Sequence, residues 1–345
     1  MSSTIGQTIR GECDTAGVKG YDIIGDVHGC DEDLEERLQS LGYRPDATGT
    51  YRHPDRQAVY AGDLIDRGAG HRRVLQIVKA MVDGGSARIV MGNHEFNAIA
   101  WGTEHPERPG EFLRPRNREN LEQHAEFLEQ LTPEEQNYYR EWFKTIPLWL
   151  DLGGVRVVHA CWHEPSMRVI ENELGSNRFT STEQLVCAAT PGTDLYEAIG
   201  VLLWGPAIDL SAHDQPPYRD DDGRMRYDAR VRWWLQNATT LRDLAVVDGY
   251  TTEDGLPYPL PPDKPVAVQE LSYVYTSEVP VLYGHYWRRD NPEQLLDWTE
   301  RTACVDFSAV SGGTLVAYRW SGEPAIHPGN YVPHGADAVF RDPAD

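Results

Sequence analysis

Cysteines are scarce in this sequence, and they lack the spacing of a disulfide framework or a zinc finger. The 345 residues include 5 cysteines, an odd number without a Cys-x-x-Cys pair. This pattern argues against an extracellular disulfide scaffold. Apolar runs long enough to span a bilayer are also missing, and residues 1–20 have no apolar signal core. We therefore expect a cytoplasmic protein with no membrane partner.

Basic residues are also few. The chain has 32 Lys and Arg against 54 Asp and Glu, which gives a formal net charge of −22. A surface with this balance repels polyanions, so long nucleic acids are not expected partners. A small anionic ligand held by metal ions remains compatible, because bound ions dominate the local field.

Strand-like and helix-like segments alternate along the first hundred residues. The short apolar stretches "YDII", "QAVY" and "ARIV" are separated by amphipathic patterns, and the first of these patterns places Leu34, Leu38 and Leu41 on one helical face. This alternation is typical of an α/β sheet covered by helices.

Changes in composition predict the organisation of the chain. We expect a single domain over residues 20–333, between a polar tail at 1–19 and a second tail at 334–345. Two insertions interrupt it: a polar, helical stretch at about 103–145, and an acidic, proline-rich and aromatic-rich stretch at about 206–278.

Polar residues of metal-ligand type follow five of the predicted strands. They are Asp26 and His28 in "GDVHG", Asp63, Asp66 and Arg67 in "GDLIDRG", Asn93 and His94 in "GNHE", and the later His159 and His285. The carboxyl ends of strands in an α/β sheet are where ligands collect, so these residues can meet. Carboxylate, amide and imidazole groups without thiolate suit ions such as Mn²⁺, Fe²⁺ or Zn²⁺.

These motifs, in this order, resemble those of the calcineurin-like metallophosphoesterases. "GDLIDRG" together with the later "LLWGP" resembles the branch that holds the phosphoprotein phosphatases and the bacterial diadenosine tetraphosphatases. The resemblance spans residues 22 to 285. It implies an α/β fold, a four-layer αββα sandwich with two mixed β-sheets flanked by helices.

The resemblance also implies two divalent metal ions, with manganese expected and iron, zinc, nickel or magnesium as alternatives. The implied ligands are Asp26 and His28 for the first ion, Asp63 for both, and Asn93, His159 and His285 for the second. Two ions about 3.5–4 Å apart can clamp a phosphate and activate a bridging water.

His94, oriented by Asp66, would act as the general acid, because a neighbouring carboxylate favours a protonated imidazole. Arg67 and Asn93 would bind phosphate, Arg67 through its planar fork of donors. A simple Asp66–Arg67 salt bridge is the structural alternative for that pair.

Two arginines and two tryptophans in the stretch that follows "LLWGP" are harder to interpret. Arg230 and Arg232 are candidates for a second phosphate-binding arginine, although the surrounding sequence departs from the family pattern. Trp233 and Trp234 suit core or lid packing better than stacking on a nucleobase.

Cys161, two residues after a predicted ligand, suits packing better than redox sensitivity.

The sequence thus predicts a metal-dependent enzyme that hydrolyses phosphoester or phosphoanhydride bonds. Its expected partner is a small nucleotide or dinucleoside polyphosphate, and the alternative is a phosphoserine or phosphothreonine protein. A non-catalytic binding scaffold is the alternative of another class, which the complete ligand set disfavours.

Overall fold

The computed structural model describes residues 18–220, 223–288 and 299–332, which contain sixteen strands and ten α-helices. The strands are β1 (Gly20–Ile24), β2 (Arg44–Pro45), β3 (Tyr51–Arg52), β4 (Arg56–Tyr60), β5 (Ala87–Ile89), β6 (Trp149–Asp151), β7 (Arg156–Val158), β8 (Ala207–Asp209), β9 (Tyr218–Arg219), β10 (Met225–Arg226), β11 (Asp228–Val231), β12 (Ala245–Val246), β13 (Val281–Tyr283), β14 (Thr302–Cys304), β15 (Ala317–Trp320) and β16 (Tyr331–Val332). The helices are α1 (Asp31–Ser40), α2 (His71–Asp83), α3 (Asn93–Gly102), α4 (Arg118–Gln130), α5 (Pro133–Phe143), α6 (Glu164–Leu174), α7 (Thr182–Ala188), α8 (Asp194–Trp204), α9 (Leu241–Leu244) and α10 (Val268–Leu271).

Two mixed sheets form the centre of the fold. The first has the order β16–β15–β1–β4–β5, in which β1, β4 and β5 run parallel and β15 is antiparallel to both of its neighbours. The second has the order β14–β13–β7–β6, in which β13 runs parallel to β7 and β14, and β6 is antiparallel. The predicted pair of mixed sheets with flanking helices is confirmed.

Successive side chains along the central strands point into two separate hydrophobic cores. Ile23 and Val59 of the first sheet share one core with Val157 and Leu282 of the second, so this core lies between the sheets. Ile24 and its neighbours on the other face belong to the larger core that includes the helices. Because side chains point to opposite faces with a period of two, buried strands of this kind are apolar at every position.

The two predicted insertions contain structure of their own. Residues 103–145 carry α4 and α5, and α5 packs against α3. Residues 206–278 carry a three-stranded antiparallel sheet, β12–β11–β8, and the β9–β10 hairpin. Trp233 and Trp234 are fully buried and pack on the ring of Tyr283 in β13, so they are core residues, as predicted.

The predicted tails lie almost wholly outside the described residues, and the domain boundaries stay a prediction. Among the residues that the structure describes, no helix is long and apolar enough to cross a membrane.

Candidate metal centre

The six predicted metal ligands converge at the carboxyl ends of the parallel strands. Asp26 and His28 follow β1, Asp63 follows β4, Asn93 opens α3 after β5, and His159 and His285 follow β7 and β13. All six are buried. The parallel pairing of the strands aligns these ends, so residues up to 259 positions apart come into contact.

Asp63 occupies the middle of the cluster. Its Oδ2 lies 3.4 Å from His159 Nε2, 3.7 Å from His28 Nε2 and 3.9 Å from His94 Nε2. Two sets of ligand atoms share this carboxylate: Asp63 with His28 and His94, and Asp63 with His159 and His285. Burial raises the pKa of Asp63, but the imidazoles of His159 and His94 outweigh it and hold that pKa well below the usual range. This geometry suits a bridging ligand.

Backbone carbonyls orient two of the imidazoles. His28 Nδ1 lies 2.7 Å from the carbonyl oxygen of Ile65, and His159 Nδ1 lies 2.8 Å from that of Ala61. Each ring therefore donates its Nδ1–H and presents Nε2 to the cluster. Burial and the nearby His94 lower the pKa of His28 to about 3, which keeps it neutral, the form that binds metal.

Asn93 joins the second set of ligands. Its Oδ1 lies 2.9 Å from His159 Nε2 and 3.0 Å from His285 Nδ1. An amide oxygen between two imidazoles is a ligand arrangement that borderline divalent ions accept.

Asp26 shows that the site fits a cation. Its Oδ2 accepts a hydrogen bond from the backbone N–H of His285 at 3.0 Å, whereas its buried Oδ1 has no hydrogen-bond partner among the described residues. Burial and the carboxylates of Asp306 and Asp63 raise the pKa of Asp26 well above its usual value. Three buried carboxyl groups this close together need a positive charge to stay ionised, and divalent ions would supply it.

Asp306 was not identified from the sequence. Its carboxylate accepts the backbone N–H groups of Trp287 and Ser308, at 2.9 and 3.0 Å. It stands two residues after β14, as Asp26 stands two residues after β1. That placement is the signal that could have identified it.

Glycines and left-handed residues bring these groups close together. An added Cβ at Gly92 would lie 2.1 Å from Asp63 Oδ1, and one at Gly284 would lie 2.0 Å from Asp26 Oδ1. Five of the predicted site residues also have left-handed backbones: His28 (φ 44), Asp63 (φ 51), Asp66 (φ 68), Arg67 (φ 75) and His285 (φ 69). Such conformations cost of order 1–3 kcal/mol each and concentrate at functional sites.

The predicted His94–Asp66 pair is present and has a third member. His94 Nδ1 lies 2.5 Å from Asp66 Oδ2, and His124 Nδ1 lies 2.7 Å from Asp66 Oδ1. Burial raises the pKa of Asp66, but His124 and His94 more than reverse this and lower it, so the carboxylate stays ionised. His124 is buried in α4, and no motif in the sequence marks it.

Glu95 is a structural clamp beside the ligands. Its carboxylate accepts the backbone N–H groups of Asp63, Leu64 and Gly92 at 2.8–2.9 Å. Burial and the Asp63 charge raise its pKa to about 7. The sequence places Glu95 in the "GNHE" motif but does not reveal this role.

Arg67 lies at the edge of the cluster. Its guanidinium carbon stacks 4.2 Å from the ring centroid of Trp287, and its Nη1 lies 3.2 Å from His28 Nε2. The ion pairs of Asp66 among the described residues are with His94 and His124 instead. The salt-bridge alternative for Asp66 and Arg67 is therefore not what the structure shows.

Arg230 and Arg232 make different contacts. The guanidinium of Arg230 lies 5.6 Å from the ring centroid of Tyr286. The pKa of His285 is lowered mainly by its own burial and next by the positive charge of Arg230. Arg232 instead donates to the carbonyl oxygen of Ala245 at 2.7 Å and pairs with Asp248. The donors of Arg232 are thus used within its own loop, which favours Arg230 as the phosphate-binding arginine, and both assignments stay predictions.

Two neighbours of His159 do not join the ligands. His163 is the N-cap of α6 and has its Nδ1 2.8 Å from Ser166 Oγ. Cys161 is fully buried in the larger core, where it packs as predicted.

Comparisons with known proteins agree with this geometry. The family model described as calcineurin-like phosphoesterase matches residues 21–237. An asymmetrical bis(5'-nucleosyl)-tetraphosphatase, PrpE of Oceanobacillus iheyensis, is 36% identical over 146 residues, which is 40% of this chain and 54% of the relative. A symmetrical bis(5'-nucleosyl)-tetraphosphatase of Salmonella paratyphi B is 38% identical over 78 residues, 23% of this chain and 24% of the relative.

The chain therefore covers about half or less of the length of these curated relatives. Among solved structures, a protein serine/threonine phosphatase of Saccharomyces cerevisiae overlaps 93% of this chain and 80% of its own, at 11% identity and a TM-score of 0.48. An overlap this weak does not bear on the substrate.

Proposed function

The chain belongs to the calcineurin-like phosphoesterase family, and from this we propose that it hydrolyses a phosphoanhydride bond of a dinucleoside polyphosphate in the cytoplasm, with manganese as the activating ion. The observation that carries the proposal is the convergence of the six predicted ligands and the His94–Asp66 pair on one buried cluster. The names of the tetraphosphatase relatives support this substrate class.

Different residues of the cluster would have different roles in hydrolysis. When bound, two divalent ions supply charge neutralisation at the phosphate and an activated water. Arg67, stacked on Trp287, presents donors to phosphate oxygens, and Arg230 adds positive charge near His285. His94 keeps its Nδ1 on Asp66 and delivers a proton from Nε2 to the leaving oxygen.

A substrate panel tests this proposal. Purified protein with Mn²⁺ is given diadenosine tetraphosphate, a phosphoserine peptide and AMP at matched concentrations, with the Asp63→Asn variant as the control for metal dependence. We expect the highest kcat/KM for diadenosine tetraphosphate and loss of turnover in the variant. No turnover of any phosphoester would refute the enzyme, and a preference for the peptide would refute the substrate.

The products of the same reaction define the cleavage mode. Symmetrical cleavage gives two ADP, and asymmetrical cleavage gives ATP and AMP. Chromatography of the products therefore decides which group of relatives this chain follows.

A further inference from the structure

A cleft of about 1160 Å³ opens beside α3, and we propose that it binds the second nucleotide of the substrate, the one farther from the metal centre. We refer to it as the α3–α8 cleft; its walls include Asn97, Ala100, Arg114, Tyr196, Gly200 and Trp204. The inference rests on the proposed function and adds to it a binding site outside the metal ligands. The volume is ample for a small-molecule ligand, since such pockets are typically about 300–1,000 Å³.

The cleft starts one helical turn from the metal centre. α3 begins with Asn93 and His94, and the cleft-lining Asn97 lies four and three residues further on. Residues three and four apart share a helix face, about 5–6 Å from each other. Asn97 thus places the edge of the cleft about one helical turn from His94, a distance that a polyphosphate chain can span.

Arg114 indicates that the ligand carries negative charge. Its side chain is only 9% exposed, Nη2 donates to Gln123 Oε1 at 2.7 Å, and Nη1 has no hydrogen-bond partner within the described part of the chain. An unsatisfied donor on a buried guanidinium is costly, and a phosphate oxygen would satisfy it. The cleft-lining Arg108, by contrast, pairs with Glu111 at 3.0 Å.

Other lining residues of the cleft suit a base and a sugar. Tyr196 and Trp204 of α8 and Tyr273 present aromatic rings, and Glu197 and Asp228 present carboxylates. Aromatic faces stack on a nucleobase, and carboxylates accept N–H and O–H donors of the base and the ribose. Arg114 together with these rings and carboxylates matches a nucleotide. An extended phosphopeptide fits less well, because its phosphate would be held at the metal centre and Arg114 would stay unsatisfied.

Gly200 allows the cleft to be filled without disturbing the fold. It lies inside α8, and an added Cβ meets no atom within 4 Å. Gly200→Phe would therefore occupy cleft space, and Val268→Phe, at an 80% exposed side chain outside the cleft, serves as its control. Arg114→Gln removes the charge, with Arg118→Gln, on a 91% exposed side chain that pairs with Glu122 outside the cleft, as control.

The measured quantity is the kcat/KM for diadenosine tetraphosphate divided by that for 4-nitrophenyl phosphate, which is too small to reach the cleft. We expect this ratio to fall at least about tenfold in Gly200→Phe and in Arg114→Gln, equivalent to about 1.4 kcal/mol. Both controls should stay within about twofold of the wild-type ratio. Calorimetric titration of the metal-loaded protein with ADP should show the same loss of affinity in Gly200→Phe.

The outcomes separate this inference from the proposed function. If the wild-type protein hydrolyses no phosphoester, the function fails, and the ADP titration still decides the cleft. If it hydrolyses both substrates and Gly200→Phe changes neither the ratio nor the Kd for ADP, the cleft assignment is overturned while the function stands. If Gly200→Phe impairs only turnover of the phosphopeptide, the occupant is a peptide and the assignment is wrong.

Discussion

Asp66 holds two imidazoles at once, and this fixes the candidate proton donor. Its two oxygens receive His94 and His124 at 2.5 and 2.7 Å. Because Asp66 accepts the Nδ1–H of His94, the ring can donate a proton from Nε2 without losing its position.

The role of His94 predicts a dependence on the leaving group. In His94→Ala, kcat for phenyl phosphate should fall by about 10²–10⁴, because phenolate needs a proton, while kcat for 4-nitrophenyl phosphate should fall much less. Steady-state kinetics with both esters check this, with bound metal measured by mass spectrometry. An equal loss on both esters, or loss of metal, would show that His94 acts as a ligand instead.

Arg230 and Arg232 form a natural pair for a second test. Arg230→Gln removes an exposed charge near His285, so kcat/KM should fall about tenfold with little change in stability. Arg232→Gln breaks contacts to Ala245 and Asp248 and should lower the free energy of unfolding by about 1 kcal/mol without a specific kinetic effect. Steady-state kinetics and urea denaturation of both variants test this difference. A kinetic loss in Arg232→Gln with none in Arg230→Gln would identify Arg232 as the phosphate ligand.

At the scale of elements, α3 is tied to the loop after β4 by Glu95. One carboxylate accepts the N–H groups of Asp63, Leu64 and Gly92, and so joins two strand ends to the start of the helix. The positions of Asp63 and His94 therefore depend on a residue that need not touch substrate.

This clamp predicts a stability effect at Glu95. Glu95→Gln turns an amide N–H₂ toward backbone donors, and the unfolding free energy should fall by about 1–3 kcal/mol. Glu122→Gln, at a 63% exposed carboxylate, should stay within about 0.5 kcal/mol of the wild type. Urea denaturation of both variants measures the difference, and equal values would show that the clamp adds no stability.

Strand-end motifs were sufficient to predict an α/β sheet with polar side chains meeting at its strand ends, because apolar strands and the polar residues after them are adjacent in sequence. The pair of mixed sheets and the six ligand roles came from the resemblance to the phosphoesterases. His124 and the clamp of Glu95 could not be predicted in the same way, since their partners lie on other elements of the chain. Asp306, two residues after β14, carries the same strand-end signal as Asp26 and could have been predicted. The fates of Arg230 and Arg232 differ for a similar reason: Arg232 is taken up by carbonyl groups that only the folded loop brings to it.

At the scale of the whole molecule, acidic groups are not confined to the surface but also occur in the interior. The carboxyl groups of Asp26, Asp63 and Asp306 are buried within one cluster, in a chain of formal net charge −22. The folded protein therefore gains electrostatic stability from cations at this cluster.

Removal of metal should lower the melting temperature. An ion at a hundred times its Kd adds about 2.7 kcal/mol to the stability of a one-site protein, so chelation should shift Tm down and Mn²⁺ should restore it. Scanning calorimetry with EDTA and then with Mn²⁺ measures this, and the Asp63→Asn variant should respond far less. An unchanged Tm in the wild-type protein would contradict a metal site at this cluster.

The left-handed backbone at His28, Asp63 and His285 limits how this centre can be transplanted. A protein engineer who copies only the ligand side chains onto regular strands or helices would aim them in the wrong directions, since such elements have negative φ at every residue. A working graft has to import the bends together with Gly92 and Gly284, which leave room for the carboxylates. The smallest portable unit is therefore a set of strand-to-loop junctions.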